Sequence, residues 1–210
     1  MTSEHPIRIV IVDDHPFVRA GLVAVVDDED DMMVVGEGSN GQEGIDLPQR
    51  HKPDVLLIDI QMPVMDGIEA IRQLRAKGST VSIIVLTTFD ADDYVFQAVE
   101  AGADILVVQS TVTTARHISS SYRGLVFSEL VEQIGIPVLV GNCVSTSVAL
   151  ELMETGIQGI LVGVGPGAAC TSREVIGMGV PQVTATMDCA AAREEYLRRT
   201  GRYVSIITDG

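Results

Sequence analysis

Short, branched apolar runs recur along the chain at βα spacing. Four fall in the first half: Ile7–Val12, Met33–Glu37, Val55–Ile60 and Ile83–Thr87. Four more follow: Ile105–Val108, Val138–Gly141, Gly159–Val164 and Val204–Thr208. Runs this brief and this continuously apolar predict parallel strands covered on both faces. Between them, apolar residues at helical spacing predict helices over Val18–Val26, Ile68–Lys77, Ser128–Gln133, Ser145–Glu154 and Asp188–Arg199. Pro48 should shorten or kink the second helix, because it lacks an amide hydrogen. Strands alternating with helices give an α/β fold with a parallel sheet. Eight strands is the number that closes a (βα)8 barrel, so a barrel-like closure is expected. The alternative is an open, extended doubly wound sheet in which the second strand lies outside the first.

Composition narrows the function classes. At 46% hydrophobic residues the chain can bury a substantial core. Every apolar run is too short for a membrane span of about 20 residues, and no signal peptide is visible, so a cytoplasmic location and no membrane partner are expected. The net charge of −15 argues against a nucleic-acid partner, which needs a basic footprint. The charge is uneven: residues 1–104 hold 20 acidic and 7 basic side chains, residues 105–210 hold 9 and 7. The three cysteines, Cys143, Cys170 and Cys189, all fall in the second half and have no metal-site or disulfide-framework spacing. The step in charge and cysteine usage fits two sources joined near Ala101-Gly102-Ala103-Asp104.

In the first half, acidic residues collect at strand ends. Asp13 and Asp14 end the first strand, Asp59 the third, and Thr87 and Thr88 the fourth. The carboxyl ends of parallel strands line the ligand crevice of an open α/β sheet. Carboxylates gathered there suit a hard dication, which would screen an incoming phosphoryl group while one carboxylate attacks phosphorus. The acidic run Asp27–Asp31 reads as a solvated turn.

The segments Ile9-Val10-Ile11-Val12-Asp13-Asp14-His15, Asp59-Ile60-Gln61-Met62-Pro63-Val64-Met65-Asp66-Gly67 and Val85-Leu86-Thr87-Thr88-Phe89 resemble a bacterial response-regulator receiver. That resemblance covers roughly residues 7–104. It implies a flavodoxin-like sheet, Mg2+ held by Asp13, Asp14, Asp59 and the backbone of Gln61, Asp59 as phosphoacceptor, and Thr87 as switch hydroxyl. It also implies a histidine kinase or a small phosphodonor as partner. Two positions depart from the pattern: Gln109 stands where the family carries a lysine, and Leu106 where it carries an aromatic residue. A neutral amide supplies no charge to a phosphoaspartate, so coupled switching should be impaired. No DNA-binding helix pair follows.

The second half is marked by Gly163-Val164-Gly165-Pro166-Gly167-Ala168-Ala169-Cys170-Thr171-Ser172-Arg173. Small residues let backbone amides approach a phosphate and let a thiol reach substrate. With Gly177-Met178-Gly179-Val180-Pro181-Gln182 this loop resembles the IMP dehydrogenases and their GMP-reductase-like relatives, above all the actinobacterial IMP-dehydrogenase-related proteins. The resemblance runs from Gly102 to Gly210 and implies a half (βα)8 barrel. It implies Cys170 as nucleophile, IMP and NAD as ligands, and Gly141, Asn142, Gly165, Gly167 and Asp209 around them. About four of the family's eight strands are present. His117 reads as surface packing, and Cys143 and Cys189 as small buried groups.

The sequence therefore reads as an engineered or recombined chimera: a receiver-like half, 1–104, continued by a half barrel, 105–210, in one fold. The expected function is that of a scaffold with residual Mg2+ and phosphate affinity and no efficient parental activity. Its alternatives are a receiver phosphorylated at Asp59 and an NAD-dependent oxidoreductase using Cys170.

Overall fold

The computed structural model describes residues 5–88, 92–109, 113, 126–165, 177 and 179–208. Its strands are β1 (Ile7–Val12), β2 (Met32–Gly38), β3 (Val55–Asp59), β4 (Ser82–Thr88), β5 (Ile105–Gln109), β6 (Val138–Cys143), β7 (Gly159–Val162) and β8 (Ser205–Thr208). The helices are α1 (Pro16–Asp27), α2 (Gly41–His51), α3 (Gly67–Ala76), α4 (Asp92–Ala101), α5 (Phe127–Gln133), α6 (Thr146–Glu154) and α7 (Gln182–Thr200). All eight expected strands are present, and they form one sheet in the order β2-β1-β3-β4-β5-β6-β7-β8. The expected barrel closure is absent. The strand order begins at β2 and ends at β8, which are not paired with each other, and β1 lies between β2 and β3. The strand order is that of the open alternative.

The described residues fall into two compact units, the first within 5–87 and 93–106 and the second within 88–92 and 107–208. In the first unit, β1 pairs in parallel with β2 and β3, and β3 with β4. Side chains alternate across these strands. Ile9 and Ile11 pack with Val26 of α1, together with Leu22, Val23, Val55 and Leu57. The opposite positions, Val10, Val12, Leu56 and Ile58, are fully buried. There α2 approaches closely enough that a Cβ on Gly44 would meet Ile58, Val12 and Ala70 of α3.

Helix α2 starts at a reciprocal cap: Asn40 Oδ1 accepts from the Glu43 amide (3.1 Å), and Glu43 Oε2 accepts from the Ser39 amide (2.6 Å). Pro48 lies inside this helix rather than ending it. The missing donor falls in the last turn, where the Pro48 carbonyl still accepts from the Lys52 amide (3.0 Å). A proline that near the end removes one bond and leaves the preceding turns intact.

In the second unit, β6 pairs with β7 and β7 with β8, all in parallel. Helix α7 begins six residues earlier than the sequence indicated. Its buried face is Ala185, Cys189, Ala192 and Tyr196, a helical stripe that extends to the first turn. The exposed Val183 and Met187 had blurred that pattern. Among the described residues, no helix is long and apolar enough to cross a membrane.

Candidate functional site

Three adjacent strands of the first unit bring the acidic residues to neighbouring strand ends. Val12 is in register with Ile58, so Asp13 and Asp59 follow on neighbouring strand ends. Asp59 is in register with Leu86, which places Thr87 one residue further along β4. Asp13 and Thr87 are buried, Asp14 and Asp59 half-buried. Burial, then the negative charge of Asp13, pushes the Asp59 carboxyl up to about 6, with Asp14 adding to the effect. Backbone amides of Ile60 and Gln61 donate to Asp59 and oppose that rise. Gln61 itself is exposed.

Two neighbours escaped the sequence reading. The His15 amide donates to Asp13 Oδ1 (2.7 Å), and His15 Nδ1 lies 2.8 Å from Asp14 Oδ1. Potential ligand atoms of Asp13, Asp14 and His15 fall within 4.8 Å of one another. Arg19 Nη1 donates to the Asp13 carbonyl (2.6 Å), and its Nε lies 3.4 Å from Glu37 Oε2. This guanidinium holds the strand end in place without pairing with the Asp13 carboxylate. The loop from β3 to α3 is equally fixed: the Gly67 amide donates to the Ile60 carbonyl (2.9 Å), and Asp66 caps α3 through the Glu69 amide (2.8 Å).

The raised Asp59 carboxyl makes stability depend on pH. The folded state holds this proton more tightly than the unfolded chain, so the favourable contribution is full below pH 3.8 and is lost as pH rises through about 6. Asp59→Asn should therefore stabilise the protein near neutral pH by about 1–2 kcal/mol, after allowance for the group's exposure. That advantage should vanish at acid pH. Paired urea titrations at the two pH values check it; an advantage that does not change with pH would contradict the assignment.

The strand ends of the second unit form another cluster. Thr113 Oγ1 donates to the Gly141 carbonyl (2.6 Å), and its amide donates to the Asn142 carbonyl (2.9 Å). Asn142 Nδ2 donates to the Gly163 carbonyl (2.8 Å), and Gln182 Nε2 to the Val162 carbonyl (2.8 Å). The other amide oxygens, Asn142 Oδ1 and Gln182 Oε1, are buried without a hydrogen-bond partner. Buried polar atoms left this way mark places where a donor is wanted. Gly165 holds φ +68, open to glycine and costly for most residues. The structure thus brings Gly141, Asn142 and Gly165 to the ends of β6 and β7. Cys170, Gly167, Asp209 and His117 lie outside the described residues. Leu106 is fully buried and Gln109 exposed.

Comparison with known proteins follows this division. Residues 9–112 match the response regulator receiver domain, and residues 72–210 match the IMP dehydrogenase / GMP reductase domain. The response regulator protein VraR of Staphylococcus saprophyticus is 31% identical over 150 residues, covering 71% of each chain. The chain belongs to both families. Residues 72–112 are matched by both models, so the dehydrogenase-like match begins well before the Ala-Gly-Ala-Asp segment.

The receiver match is also carried by the transcriptional regulatory protein LiaR of Bacillus subtilis, 47% identical over 97 residues, 46% of each chain. An uncharacterized oxidoreductase of Mycolicibacterium smegmatis is 38% identical over 143 residues, 67% of this chain and 38% of that protein. A solved structure, the IMP dehydrogenase/GMP reductase-like protein from Corynebacterium glutamicum, matches 96% of this chain and 50% of its own, with a TM-score of 0.60 and 28% identity. The chain spans about half the length of the first curated relatives it matches.

Proposed function

We propose that this chain is a recombined or engineered fusion whose receiver half keeps a divalent-cation pocket, while neither parental activity is efficient. The observation that carries the reading is the convergence of Asp13, Asp59 and Thr87 on neighbouring strand ends. Carboxylate oxygens suit a hard cation such as Mg2+, and burial, then the charge of Asp13, raises the Asp59 carboxyl, a rise that a bound cation would offset. Asp13, Asp14, Asp59 and the Gln61 backbone would hold the ion. When bound, the cation supplies charge neutralisation at an approaching phosphoryl group. The chain's own part would be to hold Asp59 at the end of β3 and Thr87 at the end of the neighbouring β4. Gln109 supplies no positive charge, so the phosphorylated state would lack a partner that relatives resembling the receiver pattern use.

Mg2+ should raise the unfolding midpoint by mass action, reaching about 3 kcal/mol at a hundredfold excess over Kd. Asp13→Asn should remove most of that gain, and Ca2+ or Mg2+ should act alike in sign. A midpoint unchanged by Mg2+ would sink the pocket reading.

A second reading is favoured by the orphaned Asn142 and Gln182 oxygens: oxidoreductase chemistry at Cys170 on a nucleotide, with IMP and NAD as the substrate and cofactor classes. Gly141, Asn142, Gly165, Gly167 and Asp209 would line that site. Residues 9–112 follow the receiver pattern, and catalysis demands positioning to fractions of an ångström. IMP with NAD should therefore give no NADH absorbance above background; steady turnover would promote this reading over the first.

A further inference from the structure

Cys143 and Cys189 are separated by 46 residues in sequence, yet their sulfurs lie 3.9 Å apart. Cys143 ends β6, and Cys189 sits on the buried stripe of α7. Both are free thiols and almost fully buried. A second contact holds the two segments together beside them: Thr146 Oγ1 donates to the Asp188 carbonyl (3.1 Å). Small packing residues would not need to meet sulfur to sulfur, and nothing in their spacing marks a metal site.

We propose that Cys143 and Cys189 form a dithiol pair that two-electron oxidation converts to an intramolecular disulfide, joining the end of β6 to α7. The modification site consists of these two sulfurs. The thiol–thiol hydrogen bond, then burial, holds the Cys143 thiol above its ordinary range, while the same bond eases ionisation of Cys189 against its own burial. Either sulfur can attack first, and the steps are the same with the two exchanged. With Cys189 leading and an azodicarboxamide oxidant such as diamide, the Cys189 thiolate adds to one nitrogen of the N=N bond, and the other nitrogen takes a proton. Cys143 then attacks the Cys189 sulfur as a thiolate, forming the S–S bond and breaking the S–N bond. The departing nitrogen is protonated, so the azo group leaves as the hydrazine and two thiols have become one disulfide.

The bond would also reach the second cluster. Cys143 directly follows Asn142, and its carbonyl accepts from the Gly163 amide (3.2 Å). Drawing Cys143 toward α7 pulls on the strand end that positions Asn142 and Gly163.

The test uses the full chain, treated with diamide under native conditions, alkylated, and digested with Glu-C and trypsin. Glu151 and Glu154 separate Cys143 from Cys170, and Arg173 separates Cys170 from Cys189. The expected result is a loss of two hydrogens from the intact mass, a linked Cys143–Cys189 peptide, and Cys170 recovered alkylated. The oxidised protein should show a higher urea midpoint that dithiothreitol reverses, because the cross-link restricts the unfolded chain. Cys143→Ala and Cys189→Ala should each abolish both changes. Linkage through Cys170, or three thiols still alkylatable after treatment in mild, subdenaturing urea, would overturn the proposal. The wild-type peptide map decides the matter even if an alanine variant fails to fold.

Discussion

Replacing Gly67 with alanine is expected to destabilise the chain by about 2–4 kcal/mol and to weaken the proposed Mg2+ binding at the same time. Gly67 opens α3 immediately under the strand that carries Asp59. A Cβ there would overlap the Asp59 carbonyl oxygen and crowd the Asp59 carbonyl carbon and the Ile60 Cα. All of these atoms are backbone, so no side chain can rotate away. Alanine has the better helix propensity by about 1 kcal/mol, and this offsets only part of the clash. Relief requires β3 and α3 to separate, which breaks the Gly67 amide bond to Ile60 and shifts Asp59. Urea unfolding together with a Mg2+ titration checks both effects. A variant with unchanged stability would show that the close approach is absent in solution.

Arg75→Met is expected to cost about 3 kcal/mol, because four polar partners lose one donor group. Arg75 donates to the carbonyls of Gly102 (3.0 Å), Ser79 (2.9 Å) and Val81 (2.9 Å), and to Asp104 Oδ2 (2.7 Å). Asp104 Oδ2 also accepts from the Ile83 amide (2.7 Å), and the Asp104 amide donates back to the Ile83 carbonyl (2.9 Å). One guanidinium thus ties the end of α3, the entry to β4 and the entry to β5. Methionine keeps the stem that packs on Gly102, whose φ of +108 and closeness to Arg75 leave no room for a side chain. Arg75→Lys should recover only a fraction, since an ammonium cannot span the same fork. Chemical denaturation of the three proteins, with Asp104→Asn in a double-mutant cycle, measures the coupling. Additive losses would contradict the shared network.

Arg75, Gly102 and Asp104 all lie in residues 72–112, the stretch matched by both families. A βαβ unit closed by its own side chains places few demands on what precedes or follows it. This gives a physical reason why receiver-like and dehydrogenase-like sequence can share one parallel sheet.

Much of this architecture was legible in the sequence because parallel strands are apolar on both faces. Val55–Asp59 and Ile105–Gln109 stand out as runs whatever the strand order. Order itself was not legible, since both families repeat the same βα pattern; the position of β1 between β2 and β3 decides it. The acidic residues of the pocket were readable as strand-end carboxylates. His15 and Arg19 were not, because their roles arise from a local turn and from the first turn of α1. The Cys143–Cys189 pair left no spacing signal, as its members meet only when α7 packs along the strands. The start of α7 was missed for a related reason: Ala185 carries the burial while its larger neighbours face solvent.

The most direct measurement is the intact mass of the Mg2+-loaded chain after incubation with a small acyl phosphate. With the neutral Gln109 at the end of β5, only a minor phosphoryl adduct should accumulate on the proposed reading, and Asp59→Asn should erase it. Near-stoichiometric phosphorylation of the unmodified chain, lost in that variant, would mean that a complete receiver survives and would contradict the account.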